Sequence, residues 1–130
     1  SAASPSNPDS SVEIIDRAHL STMTGGDIEL AIEIIDIFRE QAEIWARMLD
    51  PAQTPQYWAD AAHSLKGAAL SLGAAKLGTS CAAAESLGRR EPPPSTTEAA
   101  VALSEIKDDL GQTLEAAARL SHEIERTRAF

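Results

Sequence analysis

The sequence is poor in cysteine, with Cys81 alone among 130 residues. A single thiol cannot close an internal disulfide or build a cysteine-based zinc site, so neither device can stabilise this domain. Long apolar runs are also missing, since no stretch approaches the ~20 residues of a membrane span. The N-terminal residues lack the basic region and apolar core of a signal peptide. We therefore expect a cytoplasmic protein with no membrane partner.

Clusters of basic residues are missing as well. Lys and Arg number 11 against 20 Asp and Glu, which gives a formal net charge of −9. A chain with this balance is a poor ligand for DNA, RNA or an anionic membrane. The sequence favours a partner with a basic face, or one that binds through small apolar patches.

Aromatic residues make up 4% of the chain, and the apolar–polar alternation of strands is scarce. Alanine and isoleucine are abundant instead, which favours an all-helical protein. The length corresponds to one domain. Residues Ser1–Ser11 are polar, rich in Ser and Pro, and without periodicity. We therefore expect a disordered tail there and a helical bundle over residues 12–130.

Hydrophobic periodicity and capping residues divide the rest of the chain into helices. Asp27 and Thr54 are good N-caps, Gly73 is a natural C-terminal stop, and Ser95 with Glu98 forms a capping-box pattern. Four substantial helices, mostly joined by short connections, predict an up-down antiparallel four-helix bundle with a short extra N-terminal helix. The predicted helices are Val12–Met23, Asp27–Asp50, Thr54–Leu72, Ala75–Leu87 and Thr97–Arg128.

Of the three histidines, His63 has surroundings that set it apart. At ~100° per residue, the apolar residues of its helix fall on the side opposite to it. These core-facing residues are Trp58, Ala61, Ala62, Leu65, Ala68, Ala69 and Leu72. We therefore predict that His63 is exposed. His19 and His122 have no clustered ligand types nearby and are expected to be ordinary surface residues.

The face around His63 is unusual for a solvated helix. Gly67 lies in mid-helix, where it costs about 1 kcal/mol relative to alanine, and Ala59 is small as well. Leu70 adds an exposed apolar side chain, and Lys66 places a cation one turn from the imidazole. The glycine indicates close approach by another protein, and the lysine indicates an anion, such as a phosphoryl group, carried on the ring.

The segment HSLKGAALSLGA, from His63 to Ala74, resembles the signature of histidine-containing phosphotransfer (HPt) domains. In that signature His-x-x-Lys-Gly is followed by a glycine near the end of the same helix, and the helical layout over residues 12–128 also fits. The resemblance implies a phosphorelay intermediate. His63 would accept a phosphoryl group from an aspartyl phosphate on a receiver domain, or from a histidine kinase, and pass it to another receiver.

The resemblance also implies roles for individual residues. The attacking atom would be Nε2 of His63, with Lys66 offsetting the phosphoryl charge and Gly67 giving the partner access. Ser64 and Gln56 could hydrogen-bond the phosphoryl oxygens or the ring. The chain would need no cofactor of its own, because Mg²⁺ would come with the receiver. No nucleotide-binding loop is recognisable, so we expect a carrier without ATP-dependent kinase activity.

Two other functions compete with this interpretation. A non-phosphorylated scaffold or regulator would share the fold, but a degenerate member would be expected to have lost His63 or Lys66. A dimeric histidine-kinase phosphoacceptor domain would use a two-helix hairpin per subunit and an acidic residue directly after the histidine. Ser64 stands at that position instead. Four helices already complete a bundle in one chain, so we expect a monomer.

The remaining predictions concern the surface and the core. We expect the docking surface to be the His63 face, ringed by Leu70, Ala59 and parts of Ala31–Phe38. Cys81 lies on an apolar stripe and should be a buried, inert thiol. The acidic pair at positions 108 and 109 is expected to be solvated.

Overall fold

The structure, a computed structural model, describes residues 13–130. Within that range the chain forms five helices and no strand, so the all-helical prediction with a short leading helix is confirmed. The disordered tail predicted for Ser1–Ser11 lies outside the described residues. The helices are α1 Arg17–Thr24, α2 Ile28–Met48, α3 Pro55–Leu72, α4 Ala75–Gly88 and α5 Thr96–Thr127.

Local capping chemistry determines where the main helices begin and end. Asp27 and Thr54 each accept a hydrogen bond from the backbone N–H three residues later, as predicted. Ser95 and Glu98 form a reciprocal capping box at the start of α5. Gly73 ends α3 with φ 86°, a left-handed conformation that glycine adopts without strain. The predicted helix boundaries therefore hold to within one or two residues for α2 to α5.

The leading helix is shorter than predicted, because the described residues before Arg17 are not helical. The side chain of Asp16 caps α1 by accepting from the N–H of His19 at 3.1 Å. The backbone N–H of Asp16 donates to the carbonyl of Gly73 at 2.9 Å. That second bond ties the entry segment to the end of α3, which holds its backbone extended.

The helices pack so that α3 lies between α2 and α4. The longest helix, α5, packs against α4 and α2, which leaves α3 and α5 across the diagonal of the bundle. Among these described helices, none combines the length and the apolarity needed to cross a bilayer. The largest fully buried apolar side chains are Leu20, Ile35, Leu49, Trp58, Leu65, Leu72, Leu77, Leu103, Ile106 and Ile124.

Small residues let α3 and α4 approach closely near the end of α4. A Cβ placed on Gly88 would lie 2.8 Å from the Cβ of Ala59 and 2.8 Å from a ring carbon of Trp58. Ala59 is consequently fully buried. The prediction that Ala59 forms part of the exposed ring around His63 is wrong, because the backbone of α4 covers it.

A buried polar contact joins α4 to α5. Asp109 is 6% exposed and accepts a short hydrogen bond from the hydroxyl of Ser80, with Lys76 Nζ 3.6 Å from its other oxygen. The expectation that Asp109 is solvated is therefore wrong, since it faces α4 rather than water. The neighbouring thiol of Cys81 is buried as predicted, and burial, followed by the charge of Asp109, raises its pKa to about 12.

Candidate functional site

His63 lies near the middle of α3 with its side chain 61% exposed. The apolar residues opposite to it face the core, and of the seven predicted core positions only Ala68 is not fully buried. The predicted orientation of His63 is therefore confirmed. His19 and His122 are exposed residues of α1 and α5, also as expected.

A carboxylate from the neighbouring helix holds the imidazole. Glu85 of α4 places Oε2 2.9 Å from Nδ1 of His63 and Oε1 2.8 Å from Nζ of Lys66. The side chain of Glu85 is 16% exposed, so most of it is shielded from water. One carboxylate thus joins the histidine to the lysine that follows it by one turn.

The charge state of Glu85 determines which nitrogen of His63 is free. The hydrogen bond from Lys66 lowers the pKa of Glu85, burial opposes that effect, and the charge of His63 lowers the pKa further. An ionised carboxylate can only accept hydrogen bonds, so Nδ1 of His63 must carry the hydrogen in this contact. In the neutral imidazole the lone pair then lies on Nε2, the nitrogen that does not contact Glu85.

A second cation approaches the site from the end of α4. Arg89 Nη2 lies 2.9 Å from Oδ1 of Asp60 and 3.4 Å from Oε2 of Glu85. These side chains are largely exposed, apart from Glu85, so each pair contributes little to stability. The site therefore combines two cations, Lys66 and Arg89, with two carboxylates around one imidazole.

Sequence reasoning missed Glu85 and Arg89, because neither belongs to the motif on α3. A signal for Glu85 was present in the spacing. His63 precedes the Gly73 turn by 10 residues and Glu85 follows it by 12. In an antiparallel helical hairpin, residues at similar distances from the turn lie at the same level.

The other predicted site residues differ in how the structure places them. A Cβ on Gly67 would meet no atom within 4 Å, so packing within the described chain does not require glycine there. Lys66 and His63 are linked because both bond the carboxylate of Glu85. Gln56 and Ser64 are exposed on α3, and neither makes a hydrogen bond to the imidazole among the described residues. Leu70 is 51% exposed, as predicted.

Exposed apolar side chains form a row along α2. Leu30, Ile37 and Ile44 are spaced by seven residues and are 39%, 53% and 45% exposed. A shallow cavity between α2 and α5 is lined by Arg39 and Glu43, which identifies the flank of α2 that faces α5. At ~100° per residue the apolar row lies on the other flank, which borders α3. Within Ala31–Phe38, the segment named in the docking prediction, Ile37 is exposed, whereas both end residues are buried.

Over residues 13–130 no cluster of three or more His, Cys, Asp or Glu side chains is arranged to hold a metal ion. The chemistry available at the site is therefore that of an exposed imidazole, an anionic acceptor on one of its nitrogens, and two neighbouring cations.

An exposed histidine on a helical bundle, bonded through one nitrogen and open at the other, fits a phosphotransfer class of protein. The Hpt domain family model matches residues 27–129, and the chain belongs to that family. This confirms the resemblance seen in the sequence and gives the chain a phosphotransfer role in two-component signalling.

A solved structure extends the match. The chain is similar to the histidine phosphotransferase ShpA from Caulobacter crescentus, with 32% sequence identity and a TM-score of 0.71. The alignment covers 89% of this chain and 98% of that one, so almost the whole of ShpA is matched. A search of curated proteins found no match.

Proposed function

We propose that this protein relays a phosphoryl group between receiver-domain aspartates through a phosphohistidine at His63, and that a histidine kinase is an alternative donor. The observation that carries the proposal is the contact of Nδ1 with Glu85, which leaves Nε2 of the exposed ring as the nucleophile. Family membership supports the same reaction class.

The forward step needs one bond made and one broken. The Nε2 lone pair of His63 attacks the phosphorus of an aspartyl phosphate, and the P–O bond to the aspartate breaks to release its carboxylate. The ring keeps its Nδ1 hydrogen and becomes positively charged, and the carboxylate of Glu85 stabilises that charge. In the return step a carboxylate of the next receiver attacks phosphorus, the P–N bond breaks, and the ring is neutral again.

Lys66 and Gly67 fit the demands of this transfer. Phosphoryl transfer proceeds through a loose transition state, so positioning and charge neutralisation supply most of the catalysis. Lys66 holds Glu85 in the resting site and can turn its ammonium group to the phosphoryl oxygens once they arrive. The open space around Gly67 leaves room for the partner backbone. Ser64 and Gln56 remain candidates for hydrogen bonds to the phosphoryl oxygens.

The chemistry is divided between the two partners. We assign Mg²⁺ and its acidic ligands to the receiver, and to this chain the role of a carrier without ATP-dependent kinase activity. We propose that it acts as a monomer, because one chain completes the bundle and the site is built from α3 and α4 of that chain.

The docking surface is proposed to span α2 and α3. Seven large apolar side chains are exposed among the described residues, and five of them lie on these two helices: Leu30, Ile37 and Ile44 on α2, and Tyr57 and Leu70 on α3. The other two, Met23 and Val101, lie on α1 and α5. Apolar side chains concentrated on one helix pair indicate an interaction site. We propose that the partner binds this surface transiently, as a relay that must release each receiver requires.

The proposal is tested by incubating wild-type protein and His63→Gln with phosphorylated receiver domains. We expect acid-labile, base-stable label and the mass of one phosphoryl group on wild type, and none on the variant. Absence of label from a broad panel of receivers, with both proteins folded, would refute the relay. The bundle would then be a binding scaffold with an incidental exposed histidine.

A further inference from the structure

Four carboxylates form a row along the solvent side of α2. Glu33, Asp36, Glu40 and Glu43 are exposed, and none of them makes an ion pair with another described residue. They follow one another at intervals of three or four residues, where side chains on a helix are neighbours. Like charges at these spacings destabilise a helix, and Arg39 offsets this only for Asp36 and Glu43, which lie three and four residues from it. No cation stands three or four residues from Glu33 or Glu40, so the stability of α2 does not explain these two carboxylates.

The row borders the apolar side chains of the docking surface. At ~100° per residue, Glu33 and Glu40 lie within about 60° of Ile37 and Ile44 around the helix axis. The apolar row is thus between the carboxylates and α3. Any protein domain that covers Ile37 and reaches His63 also approaches these carboxylates.

The charges on the far side of His63 are balanced rather than acidic. Lys66 and Arg89 provide the cations at the α3–α4 edge, where their partners are Glu85 and Asp60. The surface is therefore acidic along α2, apolar in the middle and mixed with cations beside the imidazole. Such a gradient can orient a partner as well as attract it.

We propose that the acidic row of α2 selects receiver domains whose docking face is apolar at its centre and carries Lys or Arg along the margin that meets α2. This inference rests on the proposed function and names the chemistry of the partner. The basic margin meets the carboxylates, while the acidic phosphorylation pocket of the receiver is brought over His63 and Lys66. Receivers without the basic margin associate more slowly.

The test compares two variants that remove equal charge. Glu33→Gln/Glu40→Gln removes two carboxylates seven residues apart on α2. Asp108→Asn/Glu115→Gln removes two exposed carboxylates with the same spacing on α5, which does not pack against α3. The probe is the phosphorylated receiver that labels wild-type protein, and the readout is the second-order rate of transfer. Labelling by phosphoramidate, a small donor that needs no docking, monitors the imidazole itself.

We expect the α2 variant to lose about five- to tenfold in transfer rate at low ionic strength, and the α5 variant less than about twofold. The difference should vanish near 1 M salt, where the Debye length falls to about 3 Å. Phosphoramidate labelling should be the same for all three proteins. Changing the marginal Lys and Arg residues of the receiver to Gln should remove its sensitivity to the α2 variant.

Equal transfer rates for the two variants at low salt would overturn the inference, as would a loss that persists at high salt. In both cases the relay itself would stand, because wild type would still carry the label. A wild type that accepts no phosphoryl group from any receiver would remove the relay, and this inference with it.

Discussion

Replacement of Glu85 by glutamine tests the centre of the proposed site. The substitution keeps the shape of the side chain but removes the charge that fixes the hydrogen on Nδ1 of His63. An amide can accept from Nδ1–H or donate to a bare Nδ1, so it no longer favours the tautomer that has its lone pair on Nε2. It also cannot offset the charge that the ring acquires during transfer.

The expected magnitude follows from the 2.9 Å contact between Nδ1 and Glu85. Hydrogen bonds to charged groups contribute about 1.5–3 kcal/mol, against about 1 kcal/mol between neutral groups. A difference of about 1.4 kcal/mol corresponds to a tenfold change in rate. We therefore expect Glu85→Gln to be phosphorylated about tenfold more slowly than wild type. Part of the loss should be offset because Lys66, no longer paired with a carboxylate, is free to contact the phosphoryl group.

The assay measures the rate of phosphoryl incorporation from phosphoramidate by mass spectrometry, so that partner docking does not enter. Asp60→Asn is the matched control, because Asp60 pairs with Arg89 but does not bond the imidazole. We expect this control to stay within about twofold of wild type. Equal rates for Glu85→Gln and wild type would refute the reasoning, since the carboxylate would then have no influence on the nucleophile.

Three further predictions concern the lysine, the open glycine and the cap of α5. Lys66→Ala should lower the single-turnover rate of transfer from a receiver by about tenfold or more, because a charge-assisted contact to the phosphoryl group is lost. Lys66→Arg should recover part of that rate, because it keeps the charge. Gly67→Ala should stabilise the fold by about 1 kcal/mol in urea unfolding, since its Cβ would meet no atom of residues 13–130 within 4 Å; a loss of stability would show that the site is not open. The pKa of Glu98 is lowered to about 2 by its hydrogen bonds from Arg90 and Ser95. The stability it contributes is therefore present above its ordinary pKa and lost as pH falls toward about 2. Glu98→Gln should lower the melting temperature at pH 7, and the difference from wild type should shrink in acid; a constant difference would contradict the assignment.

Local chemistry explains which parts of the fold were predictable. The caps at Asp27, Thr54 and Ser95 act over three residues of sequence, so the beginnings of α2, α3 and α5 could be predicted from residue type. The start of α1 was placed too early, at Val12, although Asp16 caps it over the same three-residue spacing by accepting from the N–H of His19. A backbone hydrogen bond from Asp16 to Gly73, which exists only once α3 is folded, adds to that local cap.

The candidate site also has features that one helix determines and features that depend on the packing of two helices. The exposure of His63 and its relation to Lys66 follow from helical periodicity within one segment, and both were predicted. The contact with Glu85 joins two helices, so predicting it requires knowing which residues of α4 lie beside His63 of α3. Ala59 was placed on the surface because its helix alone would leave it there, whereas the close approach of Gly88 buries it. Asp109 was placed in solvent because α5 was considered alone, whereas α4 covers it and the hydroxyl of Ser80 bonds it.

The close approach of Gly88 to Ala59 sets the distance between α4 and α3, and that distance affects the hydrogen bond between Glu85 and His63. Gly88 follows Glu85 by three residues and Ala59 precedes His63 by four, so the contact lies one turn away from the bonded pair. Any side chain added at Gly88 would act as a spacer between α3 and α4. Separating the helices by 1 Å would stretch the bond from Nδ1 to the carboxylate beyond hydrogen-bond range. Under the proposed function, a larger residue at position 88 should therefore slow phosphorylation of His63 without touching the phosphoryl group.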